Sequence, residues 1–151
     1  MISNNDSLRS FLKQAYIKEL NNYHFYYSGI KNMENQVVKD LFLEISEGEA
    51  GLVDRINQIL QTEEVEIPNW SFTRDYCTEP PNPTPFDPRK AKDKSYIDFC
   101  NEAIAMEWES FNFYLESSIN CEHDELAKFL QQCVCLKGQI ITRIKNLEDN
   151  L

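Results

Sequence analysis

The sequence predicts an all-α protein, a bundle of four helices arranged as two helix pairs joined by a long proline-rich crossover. Three observations predict it. Along four stretches apolar residues recur at alternating spacings of three and four, the mark of amphipathic helices. All six prolines fall between Pro68 and Pro88, separating the second stretch from the third. Residues 15–60 also correspond without a gap to residues 103–148, at a constant offset of 88.

The first helix is expected from residue 7 to about 32, with Leu8, Leu12, Ala15, Tyr23, Tyr26, Ile30 and Met33 on its inner face and Glu19 inside that series. The polar run 31–36 breaks the pattern and suits a short turn between antiparallel helices. The second helix runs to about residue 61 on a seam of Val38, Phe42, Ile45, Glu49, Leu52, Ile56 and Ile59. Residues 62–94 lack helical periodicity and include Pro80-Pro-Asn-Pro-Thr-Pro85, so they form a connector. Trp70, Phe72, Tyr76 and Phe86 argue that it packs on the bundle, and its length suits a crossover along a bundle. Ser95 with Asp98 makes a capping pair for the third helix, whose seam is Tyr96, Cys100, Ala103, Glu107, Phe111, Tyr114 and Ser118. After a turn around 120–124, the fourth helix presents Leu126, Leu130, Cys133, Lys137, Ile140, Ile144 and Leu147. Residues 1–151 thus read as one domain, with helix pairs at 7–61 and 95–148.

The offset of 88 pairs eight identical residues: Ala15 with Ala103, Glu19 with Glu107, Phe25 with Phe113, Tyr26 with Tyr114, Asn32 with Asn120, Glu34 with Glu122, Arg55 with Arg143 and Ile56 with Ile144. The same offset superposes both turns and all four seams, which points to an internal duplication. A single glutamate on a helix is ordinarily solvated. Glu19, Glu49 and Glu107 all interrupt apolar seams, so a clustered polar centre is the better reading. Lys137 takes the place opposite Glu49 and either joins that cluster or snorkels outward over Cys133 and Ile141.

Composition narrows the function classes. A net charge of −10 opposes nucleic-acid phosphate and anionic membrane. The opening residues have neither the basic region nor the apolar stretch of a signal peptide, and no apolar run is long enough to span a bilayer, so a cytoplasmic location is expected. Five cysteines, Cys77, Cys100, Cys121, Cys133 and Cys135, show no zinc spacing and read as reduced thiols, mostly core filler. His24 and His123, the two histidines, lie off the seams in surface or capping positions. Tyr23, Phe25, Tyr26, Tyr27, Phe111, Phe113 and Tyr114 read as packing residues. Gly48, Gly51 and Gly138, near Glu49 and Lys137, suggest close helix approach or room for a ligand.

A seam glutamate followed seven residues later by tyrosine, then a second helix with a further glutamate seven residues after an apolar one, the pair repeated across a crossover, resembles the rubrerythrin branch of the ferritin-like superfamily. The resemblance covers residues 8–61 and 95–148. It implies a ferritin-like bundle in which each half supplies a glutamate from its first helix and Glu-x-x-His from its second. Together these hold two metal ions, usually iron, for peroxide or oxygen chemistry. Glu19 and Glu107 match the first-helix glutamates, and Glu49, seven residues after Phe42, matches one second-helix glutamate. Leu52 stands where its histidine is expected. In the second half Lys137, seven residues after Leu130, replaces the glutamate and Ile140 replaces the histidine. A further acid of rubrerythrins proper would fall at Ser110, and their paired Cys-x-x-Cys motifs are absent.

Leucine and isoleucine cannot ligate, and an ammonium has three donors and no lone pair. The resemblance therefore implies a degenerate di-iron site with no metal and no catalytic residue. There Lys137 stands in for the lost cation charge among Glu19, Glu49 and Glu107, and Tyr26 and Tyr114 donate to the remaining oxygens. The expected role is non-catalytic binding or structure. The alternative is an iron-dependent peroxide or oxygen redox protein that keeps one metal on Glu19, Glu49 and Glu107. Related bundles commonly form homodimers, and an interaction surface around Tyr27 and Trp108 is a third expectation.

Overall fold

In a computed structural model of the chain, residues 5–31, 33–61 and 94–149 are described, without the side chains of 5–7 and 94–96. They form four helices: α1 (Asn5–Ile30), α2 (Gln36–Leu60), α3 (Lys94–Ile119) and α4 (Asp124–Asp149). The turns stop and restart the chain through polar caps. Asn35 Oδ1 accepts from the backbone N–H of Val37 at 3.0 Å and of Val38 at 3.2 Å, satisfying donors that the start of α2 leaves open. His123, at the equivalent place 88 residues on, accepts from the Leu126 N–H at 3.1 Å through Nδ1. Asp124 and Glu125 then face the positive end of the α4 dipole.

Aromatic contacts give the directions of the helices. Phe11 stacks on Phe113 with ring centroids 5.2 Å apart and Phe25 stacks on Phe99 at 4.6 Å, so α1 and α3 run antiparallel. Arg9 Nη1 donates to Leu60 O at 2.7 Å, which sets the start of α1 beside the end of α2. Glu49 with Lys137 and Glu44 with Arg143 make α2 and α4 antiparallel as well. Gln61 and Lys94 consequently sit at opposite ends of the bundle. The expected crossover over 62–94, with Cys77 and the aromatic residues in it, lies outside the described residues except for Lys94, which belongs to α3. That helix begins one residue before Ser95, so Ser95 falls inside it rather than at its cap; the side chains of Ser95 and Tyr96 are outside the described set.

Two apolar clusters, each drawing on all four helices, fill the interior. One contains Leu12, Leu52, Ile56, Tyr114, Leu126 and Leu130, the other Tyr26, Phe42, Cys100, Ala103, Ile141 and Ile144. Full burial of one such aliphatic or aromatic side chain contributes about 1.5–3 kcal/mol. Between the clusters lies a polar layer, described below. Every seam residue expected on α2 is buried. On α1 the seam differs from expectation: Tyr23 is half-buried, and Asn22 takes the inner position. The spacing Ala15, Glu19, Asn22, Tyr26 keeps the four-three-four rhythm, and a residue one further along is rotated about 100° away. Cys133 and Cys135 point to nearly opposite sides of α4, yet both are buried, because that helix is covered over a wide arc that includes Gln132, Gly138 and Ile141. None of the described helices is long and apolar enough to cross a membrane.

The glycines resolve differently from expectation. Gly48 and Gly51 are exposed, with open space where a Cβ would stand, so no other helix approaches them closely; Gly138 is buried. The tight approach is at Gly29, where a Cβ would lie 2.0 Å from the Phe99 ring. That ring has little freedom to retreat, being stacked on Phe25 and set edge-on to Phe42 at 4.8 Å. Gly29→Ala should therefore destabilise the fold by about 1–3 kcal/mol through overpacking, despite alanine's better helix propensity. Gly48→Ala and Gly51→Ala should each stabilise it by about 0.5–1 kcal/mol. Urea unfolding midpoints of the three variants check the opposite signs.

Candidate functional site

The polar layer is built from one charged side chain per helix. Glu19 comes from α1, Glu49 from α2, Glu107 from α3 and Lys137 from α4, and Lys137 is 0% exposed. Its Nζ donates to Glu19 Oε2 at 2.6 Å and to Glu49 Oε1, and stands 3.2 Å from Glu107 Oε2. The snorkelling alternative for Lys137 is thus set aside. Tyrosine hydroxyls hold the far oxygens of two acids: Tyr26 donates to Glu107 Oε1 and Tyr114 to Glu19 Oε1, each at 2.7 Å. Beside them Asn22 Nδ2 donates to Ser110 Oγ at 3.0 Å.

These contacts exchange under the offset of 88. Tyr26 and Glu107 become Tyr114 and Glu19, and the stacked pair Phe11 with Phe113 becomes Phe99 with Phe25. Glu49 with Lys137 and Asn22 with Ser110 are pairs of equivalent positions touching each other. An approximate two-fold axis therefore passes through the polar layer. Sequence reasoning missed Asn22 and Ser110 as partners. The signal was present in their equivalence, since polar residues occupy the same inner position in both halves.

Electrostatics follow from burial and donor count. Burial works to raise the Glu19 carboxyl, but the Lys137 charge and the hydrogen bonds it receives from Lys137 and Tyr114 hold it below its usual value. Glu49 has no tyrosine donor and its Oε2 has no hydrogen-bond partner; burial and the neighbouring Glu19 charge push it well up, against the pull of Lys137. Burial alone would make Lys137 a weaker base, but Glu107, Glu19 and Glu49 together hold it well above the ordinary lysine value. Tyr26 and Tyr114 are pushed up by burial and by the carboxylates they serve, so both stay hydroxyl donors. For Lys137 the raised value means stabilisation that is full below pH 10.5 and is lost only as pH climbs through the raised value. For Glu19 the lowered value means stabilisation present above pH 4.5 and lost on acidification.

The other expected residues lie elsewhere. Leu52 and Ile140 are buried, one in each apolar cluster. His24 is exposed beside Tyr23, and Tyr27 is half exposed under Lys31 Nζ at 4.7 Å. Trp108 is half-buried, covered by Lys145 and edge-on to Phe111, and so offers less surface than expected. Among the described residues no group of three or more His, Cys, Asp or Glu is arranged to hold a metal ion. A lysine held as ammonium also has no lone pair with which to attack a substrate.

Two predictions follow the charges. Lys137→Met leaves the three acids without their cation and should cost about 3–5 kcal/mol at neutral pH; chemical denaturation reads it. At the far end of α4, Glu148 Oε1 is buried without a hydrogen-bond partner, and burial followed by Asp149 raises that carboxyl from 4.5 to about 7 against Lys145. Burial, with Glu148 nearby, lifts the Cys100 thiol to about 12. A carboxyl raised in the fold stabilises below pH 4.5 and loses that contribution as pH rises through about 7. Glu148→Gln should therefore flatten the fall in melting temperature over that interval, and an unchanged slope would contradict the assignment.

Comparison with known proteins identifies one family. The family model described as Rubrerythrin matches residues 10–134. No curated protein and no solved structure matches the chain.

Proposed function

The chain belongs to the rubrerythrin family, and on that premise we propose that it is a member working without the family's metal pair, in a structural or binding role rather than a catalytic one. The observation that carries this reading is the Lys137 ammonium in contact with all three seam acids. Two metal ions would need lone pairs from both second helices. Here Leu52 and Ile140 provide hydrocarbon, and Lys137 brings a positive charge into the space of a cation. The residues present do not fit the pair.

In this reading residues 1–151 form one domain that arose by duplication of a helix pair, an origin supported by the reciprocal contacts at the offset of 88. One half carries Glu49 on its second helix. The other half has Lys137 at the equivalent position, and its ammonium neutralises the acids in place of metal. The cluster ties α1, α2, α3 and α4 together at one level and leaves the outer faces of the helices to meet a partner.

Purification from iron-supplemented medium followed by elemental analysis tests the reading. The protein should contain no stoichiometric iron, manganese or zinc. About two metal equivalents per chain, the complement of an intact site, or peroxide turnover that requires metal and vanishes in Glu49→Ala, would overturn it.

A further inference from the structure

We infer that Glu19, Glu49 and Glu107, braced by Tyr26 and Tyr114, form a receptor for one primary ammonium ion, which the chain fills with its own Lys137. The inference rests on the reading that the cluster is free of metal, and it goes further by naming the chemical class of ion the cluster accepts. A primary ammonium presents three N–H donors in a pyramid. Three carboxyl groups on three different helices meet Nζ: it donates to Glu19 Oε2 at 2.6 Å and to Glu49 Oε1, and forms an ion pair at 3.2 Å with Glu107 Oε2, an oxygen without a hydrogen-bond partner.

The receptor keeps its shape through groups other than the lysine. Tyr114 and Tyr26 fix the outward oxygens of Glu19 and Glu107 at 2.7 Å, which aims the inward oxygens of both acids at the ammonium. Glu49 Oε2, in a side chain only 1% exposed, has no hydrogen-bond partner, so the acids offer more acceptor capacity than one lysine uses. The excess of carboxyl over ammonium makes the empty receptor the costly state. Selectivity follows from the donor set. Carboxylates bind divalent ions well only with further ligands completing a shell, and here the neighbouring α2 and α4 positions are Leu52 and Ile140. A quaternary ammonium carries the same charge but no N–H and is too bulky for the space of Nζ.

The test empties the receptor and supplies its ligand separately. Lys137→Ala removes the atoms of n-propylammonium. Metal-free Lys137→Ala is refolded with n-propylammonium, tetramethylammonium or manganese chloride at matched ionic strength, and melting is followed by helical circular dichroism. The expected result is a melting temperature below that of the parent and a saturable recovery with n-propylammonium alone, as mass action requires of a ligand bound only by the folded state. The parent protein, its receptor already filled, should show no such recovery. Recovery should also vanish in Lys137→Ala combined with Glu19→Gln. If Lys137→Ala does not fold unaided, the yield of helical protein on refolding is compared across the same additives. Equal recovery with all three, recovery with manganese instead, or none with n-propylammonium overturns the inference. Metal in the unaltered protein would sink the functional reading, whereas failure of n-propylammonium in the metal-free variant sinks this inference alone.

Discussion

A lysine ammonium surrounded by acids in a buried interior is the contact on which the rest of the bundle depends. Each of the four helices brings one charge to the same level, and none of these charges is tolerable there alone. Removing an ion from water costs several kcal/mol even after relaxation, and mutual attraction offsets this only when the geometry is right. Sliding one helix by a turn, about 5.4 Å, would strand an ion in hydrocarbon. The apolar seams above and below would tolerate such a slip far better, because one aliphatic contact resembles another. The polar layer therefore sets the register, and the two apolar clusters supply most of the burial.

The approximate two-fold axis explains why such a cluster can form. Two helix pairs of matching pattern that meet about such an axis bring equivalent positions face to face. Two like charges there would repel across a low dielectric. Among the described residues, Glu49 and Lys137 are the charged residues at equivalent positions in direct contact, and they have opposite signs. Away from the axis each interaction occurs twice, as in the two Tyr-to-Glu hydrogen bonds and the two stacked phenylalanine pairs. Asn35 and His123 cap α2 and α4 at equivalent positions with different chemistry, an oxygen in one half and a ring nitrogen in the other. The two halves meet the same structural demand with different residues.

Much of this was legible in the chain because helical burial has a period that residues must obey. Glu19, Glu49, Glu107 and Lys137 announce themselves by interrupting apolar seams, and Leu52 and Ile140 by continuing them where a ligand would be expected. What escaped depended on contacts far apart in sequence. Asn22 looks like an ordinary surface amide until Ser110 is placed opposite it. Gly29 carries no local signal, since its need for a bare Cα comes from Phe99 on another helix. Gly48 and Gly51 drew notice by lying near Glu49, yet they face open space, because a residue beside an inner one on a helix is turned about 100° away.

Local periodicity and the offset of 88 alone determine four helices, their faces, the equivalence of the halves and the short list of seam charges. Those properties repeat within a few residues, or can be checked by aligning the chain with itself. Only the tertiary structure decided whether Lys137 turns inward or out over its neighbours. A flexible side chain of that length reaches water or the core from the same backbone position, and the choice is made by acceptors on three other helices. It also decided which tyrosine serves which glutamate. Within each half Tyr follows Glu by seven residues on one face, but the hydroxyls cross the axis to the other half, because a side chain about 10 Å further along its own helix is beyond reach and the antiparallel partner is not.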